Sequence, residues 1–443
     1  MMRLFERRRL PPGSSETFCI LPWVNATTAT DGSVSLCCVA RDASEIDLNK
    51  QTLTDYWNSD YVKTARRHML AGERVKSCER CYTEEAHGYK SLRLVENEAW
   101  KKRCDVSAIQ ELIGKTAPDG ALDAPLQYID LRLGNTCNMQ CIMCRPRESS
   151  RWAQVAQKMN ELSAEEHAPT EWHFSGAIET DRLQWYRNEE FWSDLKSHLP
   201  YIKEVVLAGG EPFLIKEHFE FIKTCCETGD ARHMRIRYHT NGTVFTEELI
   251  PFWAQFEQVR FFISIDGIGE VANYVRHPTN WEEVRKNIAR FDGLGENTTT
   301  IFHYSTHALN VYRIPNVLDW VNTSGLQNRL RFSNMQDYVP TSLVHYPEYQ
   351  SVRVLPAGFK AIVTRRLRRY MEAKLAGERV DKLTAILDFM NSTDESGKLP
   401  ALIQYTKMLD QVRNTDFATT FPELAPFWTA YDRAKVALSH GMR

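Results

Sequence analysis

The sequence predicts an α/β protein: a TIM-like partial (β/α)6 barrel, with a cysteine-rich module ahead of it and a helical appendage behind. Three observations carry this expectation. From Leu126 onward, short apolar runs alternate with amphipathic stretches of helix length; before that point cysteines and turn residues crowd together; after Tyr338 the chain holds no cysteine and reads as charged–apolar helix. At 443 residues the chain exceeds the size at which one core keeps growing, so several domains are expected, with boundaries at 1–125, 126–338 and 339–443. The 43% hydrophobic and 25% charged content excludes fibrous and disordered classes.

The elements follow in order. The arginine-rich N-terminus, Met1 to Pro12, leads into Pro, Gly and Ser and not into an apolar stretch, so no secretory signal is read there. No apolar run is long enough to span a bilayer, and a cytoplasmic protein is expected. Lys115 to Pro125, with Pro118, Gly120 and Pro125, reads as a linker. Strands are expected at Gln127–Leu133, Glu204–Ala208, Arg235–His239, Gln258–Ile265, Thr299–Tyr304 and Leu330–Ser333, parallel because helix-length segments separate them. Leu355–Ala376 and Val380–Met390 read as helices. The net charge of -2 offers no general attraction to nucleic acid, and Arg365, Arg366, Arg368 and Arg369 read as a solvated helix face.

Eleven cysteines without an export signal point to metal binding and not to disulfides. Cys137, Cys141 and Cys144 sit just beyond the first barrel strand, where the carboxyl ends of barrel strands build active sites. Their spacing wraps one loop around one four-iron cluster and supplies three thiolates, leaving one iron open to a substrate or cofactor. Cys19, Cys37, Cys78 and Cys81 form a second group that closes a tetrahedral zinc or fully ligates a cluster; spacing alone does not separate the two. Neighbouring side chains on an extended segment point apart, and the position of Gly32 favours Cys37 over Cys38 as the ligand. Cys38, Cys104, Cys225 and Cys226 are read as packing residues.

The run Cys-Asn-Met-Gln-Cys-Ile-Met-Cys resembles the signature of radical S-adenosylmethionine (radical SAM) enzymes, with Met143 where that family usually has an aromatic residue. The resemblance implies a [4Fe-4S] cluster on Cys137, Cys141 and Cys144, whose open iron chelates S-adenosylmethionine and cleaves it to a 5'-deoxyadenosyl radical. It also implies a set of cofactor-binding residues: Met143; Gly209, Gly210 and Glu211 of a Gly-Gly-Glu-Pro turn; Asn241 of a Thr-Asn-Gly turn; Ser264 and Asp266 at a strand end; and Arg276, whose fork suits a carboxylate. Phe18 to Val39, Trp57-Asn58-Ser59 and Cys78-Glu79-Arg80-Cys81 are similar to the SPASM or twitch auxiliary-cluster module, implying a second [4Fe-4S] cluster on Cys19, Cys37, Cys78 and Cys81. That module normally follows the barrel; here it precedes it. No residue is nominated as catalytic, and His303, Ser305, Thr306 and His307 after the fifth strand are read as structural.

The resemblance implies an oxidoreductase fed by a flavodoxin or ferredoxin-like donor. Its relatives with auxiliary clusters most often oxidise, crosslink or epimerise a peptide or protein side chain. Modification of a nucleotide or other small metabolite is the alternative. A non-catalytic zinc- or nucleic-acid-binding protein stands as a remote third, and leaves the Gly209 to Pro212 and Ser264 to Arg276 placements unexplained.

Overall fold

The structure, a computed structural model, describes residues 16–86, 90–166, 182–326 and 342–431. Its centre is a seven-stranded sheet of β1 (Asn25–Thr28), β2 (Val34–Ser35), β3 (Tyr128–Arg132), β4 (Glu204–Ala208), β5 (Arg235–Thr240), β6 (Gln258–Ser264) and β7 (Thr298–His303), in the order β2-β1-β3-β4-β5-β6-β7. From β3 to β7 every neighbour is parallel, as helical crossovers require. Five of the six expected strands are therefore present within a residue or so of their predicted bounds; Leu330–Ser333 lies outside the described residues.

The helices of ten or more residues are α1 (Asp60–Leu70), α2 (Leu92–Arg103), α3 (Trp152–Glu166), α4 (Glu189–His198), α5 (Lys216–Glu227), α6 (Trp281–Asp292), α7 (Ile314–Thr323), α8 (Ala357–Lys374), α9 (Glu378–Ser392) and α10 (Leu399–Arg413). The last three make the expected helical C-terminal region.

The two faces of the sheet differ, and this creates the site. Along β5 and β6 residues alternate between buried and half-buried, the period of a strand with two unlike sides. Ile236, Tyr238, Phe261 and Ile263 point outward and pack on the helices, with Tyr238, Phe213, Trp253, Phe261 and Phe291 in one aromatic cluster. Arg237, His239, Phe262 and Ser264 point inward and line a cavity.

The expectation of a separate first domain needs correcting in one respect. β1 pairs in parallel with the first barrel strand, Asn25 opposite Tyr128 and Thr27 opposite Asp130, so the N-terminal module donates a strand to the barrel's sheet. The expected linker is packed as well. A Cβ on Gly120, which sits at φ +90°, would lie 2.2 Å from the Lys63 carbonyl oxygen, and the Trp57 indole donates to the Ala124 carbonyl at 2.6 Å.

Candidate functional site

The cavity inside the barrel has a volume of about 580 Å3. Its wall includes Tyr128, the first residue of β3, and Gly209 and Gly210, just past the end of β4. It therefore follows the strands for their length, about 13 Å for five residues. Cys137, Cys141 and Cys144 line it together with Cys37 and Cys38, so both cysteine groups border one space.

The loop after β3 is held on several sides. Glu211 N–H donates to the Thr136 carbonyl at 2.8 Å, Cys137 N–H to the Ser150 hydroxyl at 3.2 Å, and the Trp152 indole to the Cys141 carbonyl at 3.0 Å. Gln140 and Cys141 pair antiparallel with His277 and Arg276. From the C-terminal region, Gln350 Nε2 and the Tyr405 hydroxyl both donate to the Ile142 carbonyl, at 2.6 and 2.7 Å. A Cβ on Gly210 would sit 2.1 Å from the Thr136 carbonyl oxygen. Glycine there permits the close approach of the cysteine loop, a demand placed by the protein's own backbone.

The thiols of this loop are electrostatically linked. Burial, then the neighbouring Cys141, pushes Cys137 up to about 11. Cys141 is held low by a hydrogen bond from the Cys144 thiol and by the Arg276 guanidinium, whose Nη1 lies 3.5 Å from its sulfur. Only the thiolate ligates, so metal binding has to draw the proton from a thiol that burial has pushed up.

The structure places the other predicted cofactor residues in two groups. Met143, Gly209, Gly210, Asn241, Ser264 and Arg276 line the cavity. Asn241 Nδ2 donates to Asn138 Oδ1 at 2.9 Å and lies 4.0 Å from the Cys137 sulfur. Glu211 and Asp266 are wholly buried behind the wall. The Glu211 carboxylate accepts from the Thr240 hydroxyl and the Asn241 N–H, both at 2.8 Å, and burial pushes it up to about 7. Asp266 accepts from Ser305 N–H at 2.7 Å and pairs with Arg276 Nη2 at 2.6 Å. As placed, these two carboxylates brace the turns that face the cavity.

In the second group, Cys19, Cys37 and Cys78 are each raised by burial and by neighbouring cysteines, and Cys81 by burial and by Glu84. Burial comes first for each, followed by Cys78 for Cys19 and by Cys81 for Cys78; Cys37 feels Cys19 and Cys78 as well as Cys38. Cys38 is pushed up to about 11 by burial, with Arg132, Asp130, Glu96 and Arg80 as its charged neighbours, and it lines the cavity beside Cys37. α2 holds the Cys19 loop: Asn97 Nδ2 and Arg93 Nη1 donate to the Phe18 carbonyl, and Ile20 N–H donates to Asn97 Oδ1 at 2.8 Å. Among the described residues, no three His, Cys, Asp or Glu side chains converge on a position for a single metal ion. A cube-shaped cluster takes one thiolate per iron, so its ligands stand apart, and both cysteine groups have the donor set for one.

Residues that sequence reasoning missed complete the wall. Glu96 from α2, Asp130 and Arg132 from β3, and Arg237 and His239 from β5 all line the cavity. The inward alternation Arg237, His239 was a readable signal once the strand was assigned; Glu96, on a helix outside the barrel, carried none. Of the four residues read as structural after the fifth strand, His303 and Ser305 do line the cavity.

Residues 131–321 match the family model described as the radical SAM superfamily, and residues 19–82 match SPASM, an iron-sulfur cluster-binding domain. Residues 131–321 thus carry a radical SAM domain, with a SPASM domain ahead of it at residues 19–82; these domains imply S-adenosylmethionine and [4Fe-4S] clusters as cofactors. No curated protein matches the chain. Among solved structures, it is similar to SuiB of Streptococcus suis bound to S-adenosylmethionine, at 11% identity over 75% of this chain and 65% of that one, with a TM-score of 0.34. The chain thus spans just under two thirds of that protein. TYW1 with a lysine-pyruvate adduct is 14% identical over 59% of this chain and 76% of that one, TM-score 0.29, and anSMEcpe with bound AdoMet is 15% identical over 56% and 61%, TM-score 0.29.

Among the described residues, no helix is long and apolar enough to cross a membrane.

Proposed function

We propose that this enzyme uses the 5'-deoxyadenosyl radical to abstract hydrogen from a side chain of a peptide or protein. Cys137, Cys141 and Cys144 would hold the cluster that supplies the electron for cofactor cleavage, and Cys19, Cys37, Cys78 and Cys81 a second, fully ligated cluster. The three domains expected from the sequence are kept as functional units, with the module's strand shared. A flavodoxin or ferredoxin-like donor delivers the electron.

The observation that carries the reading is the single cavity bordered by both cysteine groups. Pockets for one drug-sized ligand run from roughly 300 to 1,000 Å3, and S-adenosylmethionine is such a ligand. Within about 580 Å3, the space left beside it suits an inserted side chain better than a second nucleotide. The basic run Arg365 to Arg369, which motivated the nucleotide alternative, lies on α8 and contributes nothing to the cavity wall. Arg366 there donates to the Tyr312 carbonyl at 3.0 Å and to Asn316 Oδ1 at 2.8 Å.

Within the wall, Asn241, Ser264 and Arg276 orient the cofactor, while Phe262 and Met143 keep water from the radical's path. The test is anaerobic reconstitution, then dithionite and S-adenosylmethionine with and without a peptide library, with mass spectrometry of nucleoside and peptide. 5'-Deoxyadenosine together with a peptide mass or deuterium change supports the reading. Formation of 5'-deoxyadenosine with every peptide unaltered, while a nucleotide is altered, replaces it with the alternative.

A further inference from the structure

The inward-facing charges of the cavity are all paired. Arg132 Nη2 meets Asp130 Oδ2 at 3.4 Å, Arg237 Nη1 meets Glu96 Oε1 at 3.2 Å, and Arg237 Nε meets Glu204 Oε1 at 2.5 Å. Arg103, at the end of α2, closes this network on Glu204. Three guanidinium groups face three carboxylates, so the network is neutral. Elsewhere on the wall Arg276 is paired with Asp266, and Glu148 with Arg145.

Two carboxylate oxygens of this network are left over. Asp130 Oδ1 and Glu96 Oε2 are buried and have no hydrogen-bond partner, on side chains each 3% exposed that line the cavity. Beside them, Arg132 Nε is a buried donor without a hydrogen-bond partner. Buried polar atoms ordinarily find partners. Two free acceptors and a free donor inside this balanced network therefore describe a ligand. It must offer N–H or O–H donors to the carboxylates and an acceptor to the guanidinium. It must also carry no net charge, because an unpaired charge brought into a neutral buried network is strongly disfavoured.

We propose that Glu96, Asp130 and Arg132 recognise a net-neutral group with N–H donors and a carbonyl acceptor, of which the primary carboxamide of an asparagine or glutamine residue is the side-chain form. This rests on the peptide reading above for its source, but its chemistry does not, since a free amino acid with a carboxamide offers the same atoms. The site selects against lysine, arginine, aspartate and glutamate at the inserted position, and against phosphorylated substrates.

The test uses the full-length, reconstituted enzyme with S-adenosylmethionine and no reductant. Equilibrium dialysis measures binding of acetyl-Gly-Gly-X-Gly-Gly N-methylamides with X as Asn, Gln, Asp, Glu, Lys, Arg or Leu, and of free L-asparagine and L-glutamine. The expected result is at least tenfold tighter binding for X as Asn or Gln than for the charged residues or Leu. In Asp130→Asn the network gains a net positive charge, so preference shifts toward X as Asp or Glu. Circular dichroism checks that this variant is folded; if it is not, the wild-type selectivity alone decides. Equal binding of charged and carboxamide peptides, or no binding of any probe, overturns the recognition proposal. Binding of the free amino acids but of no peptide keeps the recognition and removes the peptide reading.

Discussion

At the scale of single residues, the two jobs proposed for the cysteines can be separated by substitution. Replacing Cys137, Cys141 and Cys144 together by alanine is expected to abolish 5'-deoxyadenosine formation while about half the iron remains, held by the other four thiolates. Iron analysis beside the nucleoside assay checks this, and surviving cleavage would refute the placement of the cofactor cluster. Arg66 poses a different residue-scale question. It is fully buried and, among the described residues, has no carboxylate partner; it donates to the Pro22 carbonyl at 2.8 Å, the Trp57 carbonyl at 3.0 Å and Asn58 Oδ1 at 2.8 Å, with its guanidinium 4.7 Å from the Trp57 ring centroid. Burial drags it down to about 10. Its five donors fit a fork of carbonyls that a lysine ammonium cannot reproduce, so Arg66→Lys should cost about 2–4 kcal/mol through unmade buried bonds. A melting temperature unchanged in this variant would show that the module tolerates the loss. Such residues explain what was legible and what was not. Cysteine spacing announces a cluster loop because chemistry dictates it, whereas a sequence does not say that Glu211 and Asp266 are wholly buried behind the turns that line the cavity.

At the scale of elements, strands β3 to β7 were readable because apolar runs bounded by turn residues have few other uses. β1 was not: Asn-Ala-Thr-Thr lacks an apolar run, and its pairing with β3 is set by contacts about a hundred residues away. The contact between the C-terminal region and the cysteine loop was equally hidden. Gln350 and Tyr405 converge on one carbonyl, that of Ile142, between two of the three loop cysteines. In Gln350→Leu/Tyr405→Phe that buried carbonyl loses both donors, at a cost of about 1–3 kcal/mol. The effect should fall on the loop: reconstitution should load less iron into the three-cysteine site and leave the four-cysteine site full, as spectroscopy of the two clusters would report. Equal loading of both sites in the double variant would confine α10 to a packing role.

For the whole molecule, buried histidines set the response to acid. His218 Nδ1–H donates to the Pro212 carbonyl and its Nε2 accepts from the Tyr238 hydroxyl, and burial pushes the ring down to about 3; His239 is likewise held at about 3, and His307 at about 4. A histidine with a lowered folded pKa stabilises above its unfolded value, about 6.5, and that stability is lost as pH falls toward the folded value. Glu211, pushed up to about 7, works the other way between about 4.5 and 7. Three groups outweigh one, at up to about 1.4 kcal/mol per pH unit each, so thermal stability should fall steeply from pH 6.5 to pH 4.5. His218→Gln should flatten that slope, and a wild-type melting temperature independent of pH over this range would contradict the burial of these rings. Of these rings only His239 faces the cavity; His218 lies in the aromatic layer outside the sheet, against Tyr238, so the response to acid is drawn from both faces of the barrel.

The shared strand also has a consequence in time. As ribosomes add about 5–20 residues per second, the segment Asn25 to Thr28 emerges roughly 5–20 seconds before its partner Tyr128 to Arg132 is made. During that interval the first strand has only the two-residue β2 beside it, an unfinished edge of the kind that invites wrong pairings. Translation speed through residues 29–127, and any chaperone that shields that edge, therefore bear on how much functional enzyme a cell obtains from this gene.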